Sequence, residues 1–501
     1  MRLSELLADA RGAAPELFGS PRPTPGPDPE VTAVVQDHRR VTPGALFVAR
    51  RGERFDGHRF LDAAIAAGAV ATVGDREPAE VAAAPRVSYV KVADTKRALP
   101  HRAAAFHGHP SRRLSVNGVT DTDGKTTTSF LLAHLLGARF ITGLVSTAAV
   151  RLGGEALPLE GHFTTPEAPE VQGYLARFAS AGATHAVLES SSHGFSQHRL
   201  DAVRYDVGVV TNLSPEHLDH HGTLEAYREA KATLVRRAGV AVLNRDDEHW
   251  EAFARAAREG GGRSVLTYGE APGADVRIVQ VAQPPGALNV ALDVAGERVD
   301  ARVPLVGSYN AWNAAAAITA AHVAGVPAAE AVAALATFAG VPGRMQVIAS
   351  VPFTVIVDFA HTPPALAKAL QAVRRPGART IVVIGSAGER DPGKRGPLGA
   401  AAVTGADVAV FTEEDSRSEP IESILSAMAA GADAAGGVRR ASYRVEPDRA
   451  RAIALAYELA APGDVVVLAG KGHESTLERQ HEVLPWDEAA LARSLLPAGS
   501  S

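Results

Sequence analysis

The chain has 501 residues, enough for about three domains if a domain holds roughly 150 residues. Apolar residues make up 46% and charged residues 21%, as in ordinary globular proteins, which excludes a disordered, collagen-like or fibrous chain. The 51 basic and 56 acidic residues give a net charge of −5, which excludes a general positive field for nucleic acid or anionic membranes, and the absence of cysteine excludes disulfides, thiolate catalysis and cysteine-ligated zinc.

The amino-terminal residues do not resemble a membrane or export segment. Met1–Ala10 carries acidic residues within a short apolar pattern. No run along the chain reaches the roughly 18 apolar residues of a membrane span. We therefore expect a cytoplasmic monomer that acts on small molecules and contacts neither nucleic acid nor a membrane.

Residues 1–110 are predicted to form a small α/β domain. A proline-rich loop covers residues 21–29, and the β-type run Val31–Val35 follows it. A helical pattern surrounds Leu61–Ile65. This order of elements indicates a compact unit that precedes the larger domains.

Residues 111–341 are predicted to form a central domain built around a mostly parallel sheet. Short β-rich runs each end in a polar or glycine-containing loop before a helical stretch, which is typical of βα units. These runs cover residues 114–119, 186–188, 207–211 and 240–243. Alternating apolar residues over 276–281 indicate antiparallel strands attached to the domain.

The first loop of this domain has the residues of a phosphate-binding loop. Residues 116–128 read VNGVTDTDGKTTT, directly after a β-rich run and before a helical one. Phosphate binding needs backbone N–H groups at a helix amino terminus, a lysine for the phosphates and a hydroxyl for Mg²⁺. Gly124, Lys125 and Thr126 supply these, although Val119 stands where the usual motif has its first glycine. The alternative for such a segment is a plain helix start.

Two later loops carry candidate metal ligands. Glu189 ends a β-rich run, where a carboxylate can reach a nucleotide-bound Mg²⁺, although a capped loop is the alternative. Three histidines and Asp219 lie within residues 217–221, which indicates metal or phosphate chemistry or else a histidine-rich surface turn. Lys231, taken alone, is typical of a solvated helix residue.

Residues 342–501 are predicted to form a third, Rossmann-like α/β domain. β-rich runs cover residues 354–357, 380–384, 408–411 and 465–468, and a helical pattern covers 364–373. Polar loops follow these runs at residues 357–363, 385–391, 412–417 and 470–474. Loops after parallel strands meet at one edge of a sheet, and their mixed acids and arginines suit a zwitterionic substrate. The tail after Leu496 is expected to fray.

Taken in order, these segments resemble the Mur ligase family of ATP-dependent amide-bond ligases. The resemblance covers nearly the whole chain, and it includes residues 37–41 with 57–58, 164–166, 306–310 and 341–345. It implies an α/β fold of three domains. These are a small α/β domain that binds a UDP-sugar, a central P-loop ATPase domain with a mostly parallel sheet and attached antiparallel strands, and a Rossmann-like domain that binds an amino acid.

The resemblance also implies a reaction. ATP would phosphorylate the terminal carboxylate of UDP-N-acetylmuramoyl-L-alanyl-D-glutamate, and a diamino acid would attack the acyl phosphate. The diamino acid would be meso-diaminopimelate, L-lysine or L-ornithine. This step belongs to peptidoglycan synthesis, and so to cell-wall biogenesis, cell shape, cell division and the cell cycle.

The family's functional residues carry over onto this sequence. The implied catalytic residues are Lys125, Glu189, His217 and Lys231. Mg²⁺ would bind Thr126, Glu189, His217 and Lys231, the lysine being N-carbamylated by CO₂. ATP would contact Thr122, Asp123, Gly124, Lys125, Thr126, Thr127, Asn310, Arg344, Asp358 and His361. The muramoyl-peptide would contact Thr164, Thr165, Ser191, Gln197 and Arg199. The diamino acid would contact Arg390, Glu414, Asp415, Ser416, Arg417, Gly470 and Glu474.

Two loops depart from the family pattern. The phosphate loop of the family usually reads Gly-Thr-Asn-Gly-Lys-Thr. This chain has Asp121 in place of the first glycine and Asp123 in place of the asparagine. Asp121 adds negative charge and a Cβ beside a polyphosphate, so we predict weaker ATP binding than in the Asp121→Gly variant. Residues 414–417 read EDSR where diaminopimelate enzymes have Asp-Asn-Pro-Arg. Arg417 favours diaminopimelate, whereas Asp415 equally suits the distal ammonium of lysine or ornithine.

Three other functions are weighed against the ligase. A folylpolyglutamate-type ligase shares the phosphate loop, but the long first domain and Thr164–Pro166 argue against it. A second alternative is a ligase-like nucleotide-binding protein whose catalysis Asp121 has disabled. The family's catalytic residues are all present, which argues against this alternative: Lys125, Glu189, His217 and Lys231. A plain P-loop kinase explains none of the carboxy-terminal loops.

Overall fold

The computed structural model describes residues 1–18, 28–52, 55–81, 87–158, 164–261, 264–284, 286–294, 296–480 and 482–497. Contacts divide the chain into two compact units, Met1–Val276 with Ala316–Ala331 and Arg277–Ala315 with Val332–Ser501. Most of the predicted proline-rich loop and of the tail after Leu496 lies outside the described residues. Within the described part of the chain, no helix is long and apolar enough to cross a membrane.

Unit 1 begins with a small parallel sheet and its helices, which agrees with the α/β class that the sequence predicts for this region. Its four strands pair in the order β1-β2-β3-β4, and all of them run parallel. Every residue of β2 is buried. The elements are α1 (Leu3–Ala13), α2 (Pro15–Phe18), β1 (Ala33–Val35), β2 (Ala45–Val48), α3 (Leu61–Ala66), β3 (Ala71–Gly74), β4 (Ser88–Lys91) and α4 (Thr95–Phe106).

The larger sheet of unit 1 confirms the predicted alternation of strands and helices. Its strands follow the order β12-β11-β10-β5-β9-β6-β7-β8, with β5, β6 and β9–β12 parallel and β7 and β8 antiparallel. The loops after β5, β9 and β10 therefore lie at one edge. The elements are β5 (Ser115–Thr120), α5 (Lys125–Gly137), β6 (Thr142–Val145), β7 (Val150–Leu152), β8 (Glu155–Leu157), α6 (Ala168–Ser180), β9 (His185–Glu189), α7 (Ser192–Ser196), β10 (Tyr205–Val210), α8 (Leu218–His221), α9 (Leu224–Arg237), β11 (Ala238–Asn244), α10 (Trp250–Glu259) and β12 (Ser264–Gly269).

The antiparallel strands predicted near residue 276 are also present. β14 pairs with β15 in a regular antiparallel register from Leu288 opposite Val303 to Val294 opposite Glu297. The elements of this segment are β13 (Val276–Ala282), β14 (Leu288–Val294), β15 (Glu297–Val303), α11 (Asn310–Val323) and α12 (Ala328–Leu335).

The carboxy-terminal sheet of unit 2 is mostly parallel, which confirms the Rossmann-like prediction. Its order is β16-β17-β21-β18-β19-β20, with only β16 antiparallel to its neighbour. The strands β17, β18 and β21 are buried at every residue, because apolar clusters cover both faces. The elements are β16 (Gln346–Ala349), β17 (Thr354–Asp358), α13 (Pro363–Val373), β18 (Thr380–Ile384), α14 (Arg395–Gly405), β19 (Val408–Phe411), α15 (Ile421–Ala434), β20 (Tyr443–Val445), α16 (Arg449–Leu459), β21 (Val465–Ala469), β22 (Thr476–Arg479), β23 (Glu482–Pro485) and α17 (Glu488–Ser494).

Candidate active site

The predicted phosphate loop joins the end of β5 to the start of α5. β5 ends at Thr120 and α5 begins at Lys125, so residues 121–124 form the loop. Gly124 precedes the helix with φ +107°, a left-handed conformation that glycine adopts without a Cβ clash. The loop therefore presents the amino terminus of a 13-residue helix, which attracts anions.

The lysine of this loop is already bound to the loop itself. Lys125 Nζ donates to Asp121 Oδ1 at 2.8 Å, to the Asp121 carbonyl at 3.0 Å and to the Thr122 carbonyl at 3.2 Å. Burial alone lowers the pKa of Lys125, but the Asp121 carboxylate raises it above the ordinary value. Asp121 is fully buried, and its Oδ2 accepts from Thr211 Oγ1 at 2.8 Å. The sequence analysis identified the extra charge of Asp121 but not its ion pair with Lys125. The spacing of four residues between them could have indicated that pair.

Replacing Asp121 by asparagine is expected to tighten nucleotide binding about tenfold, or about 1.4 kcal/mol. The amide keeps an acceptor for Thr211 but no longer holds the ammonium of Lys125 as a counter-ion, so the lysine reaches phosphate at lower cost. Calorimetric titration with Mg-ADP measures the change. The Asp123→Asn variant is the control, because it removes the same charge from an exposed residue of the loop without breaking the ion pair. Unchanged or weaker binding by Asp121→Asn, or an equal gain in both variants, would contradict the prediction.

Glu189 ends β9 as the centre of a buried hydrogen-bond network. Its carboxylate accepts from Thr126 Oγ1 at 3.0 Å, from the Thr147 backbone N–H at 2.9 Å and from Thr147 Oγ1 at 3.0 Å, and also from Ser146 Oγ. Adjacent ligands of an octahedral Mg²⁺ with bonds of 2.0–2.1 Å lie about 3 Å apart. The Thr126 and Glu189 oxygens therefore fit two positions around one Mg²⁺.

The protein oxygens supply only part of a metal shell. In the described segments, no group of three or more His, Cys, Asp or Glu side chains could hold a metal ion. Mg²⁺ commonly binds one or two protein ligands and completes its shell with substrate phosphates and water. The residues present therefore fit a magnesium ion that arrives with a nucleotide.

Lys231 lies buried on α9, with only 1% of its surface exposed. Its Nζ donates to the Asp121 carbonyl and lies 4.4 Å from the centre of the Tyr227 ring. Burial, followed by the charge of Lys125, lowers the pKa of Lys231 to about 7. Much of this lysine is therefore a neutral amine near neutral pH. The sequence taken alone suggested that Lys231 is a solvated helix residue, and this interpretation is wrong.

His217 lies in the loop before α8 and belongs to a cluster of imidazoles. Its side chain is 45% exposed, and its ring centre lies 4.8 Å from that of His193 and 6.2 Å from that of Tyr227. Burial, then the neighbouring histidines, lowers the pKa of His193 to about 4. Among the described residues, neither His217 nor Lys231 forms a hydrogen bond or an ion pair with Glu189, so the second magnesium site stays a prediction.

The residues predicted for the muramoyl-peptide converge on one strand end. Thr165 Oγ1 donates to the Glu189 carbonyl at 2.9 Å and lies 3.0 Å from Ser191 Oγ. Arg199 donates from Nη1 to the Thr165 carbonyl at 2.7 Å and from Nη2 to Gln197 Oε1 at 2.7 Å. Thr164 is the half-buried residue before Thr165. These side chains surround the same loop as the candidate magnesium ligand.

Glu167 is a residue of this region that the sequence reasoning missed. Its carboxylate pairs with Arg199 Nη2 at 3.0 Å and with Arg50 Nη1 at 2.6 Å, so it joins the loop after β2 to the segment between α7 and β10. A cavity of about 630 Å³ adjoins it, lined by the edge strand β1 and by α4 and α6. Its position directly after Thr164-Thr165-Pro166 is the signal that could have identified it.

The residues of unit 2 predicted to contact ATP lie in two groups. Asn310 is at the start of α11, and Arg344, Asp358 and His361 are around the end of β17. Asn310 begins α11 and donates to the Val306 carbonyl at 2.8 Å. The Arg344 guanidinium lies 4.8 Å from the centre of the Phe359 ring, and His361 Nδ1 lies 2.9 Å from the Phe359 carbonyl. Asp358 accepts two backbone hydrogen bonds, at 2.8 and 2.9 Å, and burial raises its pKa.

The loops predicted to bind the diamino acid meet at the carboxyl edge of the unit 2 sheet. Asp415 Oδ1 accepts from Lys471 Nζ at 2.8 Å, and Lys471 also pairs with Glu474 at 2.7 Å. Gly470 has φ +103°, and a Cβ there would lie 2.8 Å from Glu414 Oε2. Lys471 was missed, although it stands between two predicted residues.

The remaining predicted residues of these loops differ in exposure. Ser416 is buried, and Arg417 is half-buried and pairs with Glu478 at 2.8 Å. Arg390 is exposed on the turn after β18. The structure therefore brings Glu414, Asp415, Ser416, Gly470 and Glu474 into one cluster, with Arg417 at its border.

Three domain families match the chain in order. The catalytic domain of the Mur ligase family matches residues 30–107, the Mur ligase middle domain matches 119–321, and the glutamate ligase domain of Mur ligases matches 343–472. Together they cover the predicted site residues except Glu474, which lies just after residue 472.

Similar proteins cover nearly the whole chain. A UDP-N-acetylmuramyl-tripeptide synthetase from Deinococcus radiodurans is 47% identical over 504 residues, which cover 99% of both chains. A UDP-N-acetylmuramoyl-L-alanyl-D-glutamate–2,6-diaminopimelate ligase from Geobacillus thermodenitrificans is 38% identical and covers 94% of this chain and 95% of its own. A solved structure of another ligase with that name has a TM-score of 0.67 at 32% identity, over 93% of this chain and 94% of its own. The chain therefore belongs to the Mur ligase family, whose members are ATP-dependent ligases that form peptide bonds.

Proposed function

We propose that this protein uses ATP to join a diamino acid to UDP-N-acetylmuramoyl-L-alanyl-D-glutamate during peptidoglycan synthesis. The observation that carries the proposal is the Thr126–Glu189 pair, with oxygens 3.0 Å apart, beside the lysine of the phosphate loop. The names of the relatives support the same substrates. Their near-complete coverage of the chain favours this function over a folylpolyglutamate-type ligase and over a plain kinase.

Magnesium and ATP would bind at the edge formed by the loops after β5, β9 and β10. Thr126 and Glu189 would hold one Mg²⁺, and Glu189, His217 and carbamylated Lys231 would hold the second. The metal ions would neutralise phosphate charge when bound. Lys125 would leave Asp121 and donate to the phosphates, together with the backbone of Thr122, Asp123, Gly124, Thr126 and Thr127. Asn310, Arg344, Asp358 and His361 would contact the rest of the nucleotide.

The proposed reaction proceeds in two balanced steps. A carboxylate oxygen of the acceptor bonds to the γ-phosphorus as the bond to the ADP oxygen breaks. The neutral amine then attacks the acyl carbon, the C–N bond forms, and phosphate leaves as the C–O bond breaks. The nitrogen loses one proton, which the departing phosphate takes up. Thr164, Thr165, Ser191, Gln197 and Arg199 would orient the acceptor, and the cluster at Glu414–Arg417 would hold the amine.

The proposal assigns one role to each of three domains. Residues 1–110 would bind the UDP-sugar, 111–341 would bind ATP, and 342–501 would bind the amino acid. The spans of the three matching domain families support these boundaries. The cavity beside β1 supports a nucleotide-sugar site on the first domain. A monomer would suffice for the reaction, because one chain carries every proposed site residue. The protein would act in the cytoplasm, which supplies ATP.

Phosphate release by the purified protein tests the proposal. The assay contains Mg-ATP, bicarbonate and UDP-N-acetylmuramoyl-L-alanyl-D-glutamate, with diaminopimelate, lysine or ornithine offered separately. Release that requires both the acceptor and an amine, with a tripeptide product detected by mass spectrometry, is the expected result. Release without an amine, or no release from either the native chain or the Asp121→Gly variant, would contradict a ligase function. Activity only in Asp121→Gly would support the disabled-ligase alternative.

A further inference from the structure

Arg417, the residue that could grip a second substrate carboxylate, is already bound within the protein. Its Nε donates to Glu478 Oε2 at 2.8 Å, and its Nη1 donates to the Gly388 carbonyl at 2.8 Å. Its backbone N–H donates to the Glu478 carbonyl at 3.1 Å. The residue also has φ +51°, a left-handed conformation that a non-glycine residue rarely adopts. These bonds attach the loop after β19 to β22.

These contacts engage one of the two edges by which an arginine takes a carboxylate bidentately, and one donor at the other edge's nitrogen Nη1. A carboxylate binds either the edge that contains Nε and one terminal nitrogen or the edge that contains both terminal nitrogens. Glu478 occupies Nε of Arg417 and the Gly388 carbonyl occupies Nη1. A second substrate carboxylate that binds the edge containing Nε would therefore have to displace Glu478.

Charges of both signs surround Glu414: burial raises its pKa, whereas Lys394, Arg449 and Lys471 lower it. Lys471, which is fully buried, is shared between the carboxylates of Asp415 and Glu474. Glu414 is 5% exposed, and its Oε2 has no hydrogen-bond partner in the described structure. This oxygen lies against Gly470, where no side chain intervenes. A buried carboxylate without a partner is costly, and a substrate ammonium removes that cost.

Resting on the proposed function, we propose that the incoming amine is an L-diamino acid with a single carboxylate, such as lysine or ornithine, whose distal ammonium pairs with Glu414. Diaminopimelate carries a second carboxylate at its distal end. That group would meet Glu414 and Asp415 as like charges and would find Arg417 engaged. Arg417 taken alone in the sequence favours diaminopimelate, but in the folded chain it is bound to Glu478.

Comparing the three amines in the complete ligase assay tests the proposal. We expect kcat/KM for lysine or ornithine to exceed that for meso-diaminopimelate at least about tenfold, equivalent to 1.4 kcal/mol. The two monocarboxylic amines differ by one methylene, so their ratio reports the length of the site. Equal or better use of diaminopimelate would overturn the inference while leaving the ligase function intact. No phosphate release with any amine would instead contradict the proposed function.

Two variants separate the roles of the acid and the arginine. Glu478→Gln removes the charge that holds Arg417 Nε and leaves only a neutral amide acceptor, so it is expected to raise kcat/KM for diaminopimelate relative to lysine or ornithine. Glu414→Gln is expected to raise KM for the monocarboxylic amine about tenfold without changing KM for ATP. Mg-ADP binding checks that both variants are folded. Parallel loss for all three amines in Glu414→Gln, or no shift in preference in Glu478→Gln, would count against the assignment. If a variant does not fold, the preference of the native chain still decides.

Discussion

Lys231→Ala is expected to lose ligase activity by about 100-fold or more, comparable with the loss of one transition-state contact in a preorganised site. The physical reason is its proposed carbamate. A lysine with a pKa of about 7 is partly neutral at pH 7, and the neutral amine combines with CO₂ to give a carbamate and one proton. Lowering the pH protonates the amine, so carbamate occupancy should fall as the pH drops below about 7.

The Lys231→Arg variant separates a carbamate from a simple cation at this position. Arginine keeps the positive charge but stays protonated and forms no carbamate. Both variants should be inactive, and ¹³C-bicarbonate should give a carbamate resonance in the native protein that is absent from both. Activity of Lys231→Arg within about threefold of the native value, or the absence of the resonance from an active native protein, would contradict the carbamate.

Glu488→Gln is expected to destabilise the carboxy-terminal sheet by about 3–5 kcal/mol, because removing one partner of a buried ion pair leaves the other charge uncompensated. Arg449 and Glu488 are both fully buried, with Arg449 Nε 3.0 Å from each carboxylate oxygen and Nη2 2.6 Å from Oε1. Arg449 also donates to the Ala469 and Glu413 carbonyls at 2.8 and 3.1 Å. The pair therefore holds the ends of β19 and β21 where the amino-acid loops begin.

Hydrogen exchange measures this loss locally. Amides of β21 should exchange about 150- to 5,000-fold faster in Glu488→Gln, whereas those of β5 should change little. The Glu77→Gln variant is a matched control, because it breaks the Lys91–Glu77 pair, whose side chains are 43% and 60% exposed, and should cost no more than about 1 kcal/mol. Equal protection of β21 in Glu488→Gln and in the native chain would show that the pair does not stabilise the sheet.

The sequence by itself determined the fold class and the location of the loops. Strands over 114–119, 354–357 and 380–384 were predictable because each is a short apolar run followed by a polar loop. The parallel topology follows from their alternation with helical segments. The same reasoning identified the phosphate loop and the family, since an ordered series of motifs over nearly the whole chain is far more specific than any one of them.

Only the tertiary structure decided which charges meet. The ion pair between Asp121 and Lys125 could have been inferred, because the two residues are four positions apart. The other two pairs join residues 61 and 39 positions apart: Arg417 with Glu478 and Arg449 with Glu488. No local pattern encodes such a pairing. The lowered pKa of Lys231 likewise depends on burial by segments distant in the chain, because desolvation is set by everything packed around a group. The sequence therefore determined which residues are present at the site, and the packing decided which of them are already paired with the protein and which remain for a substrate.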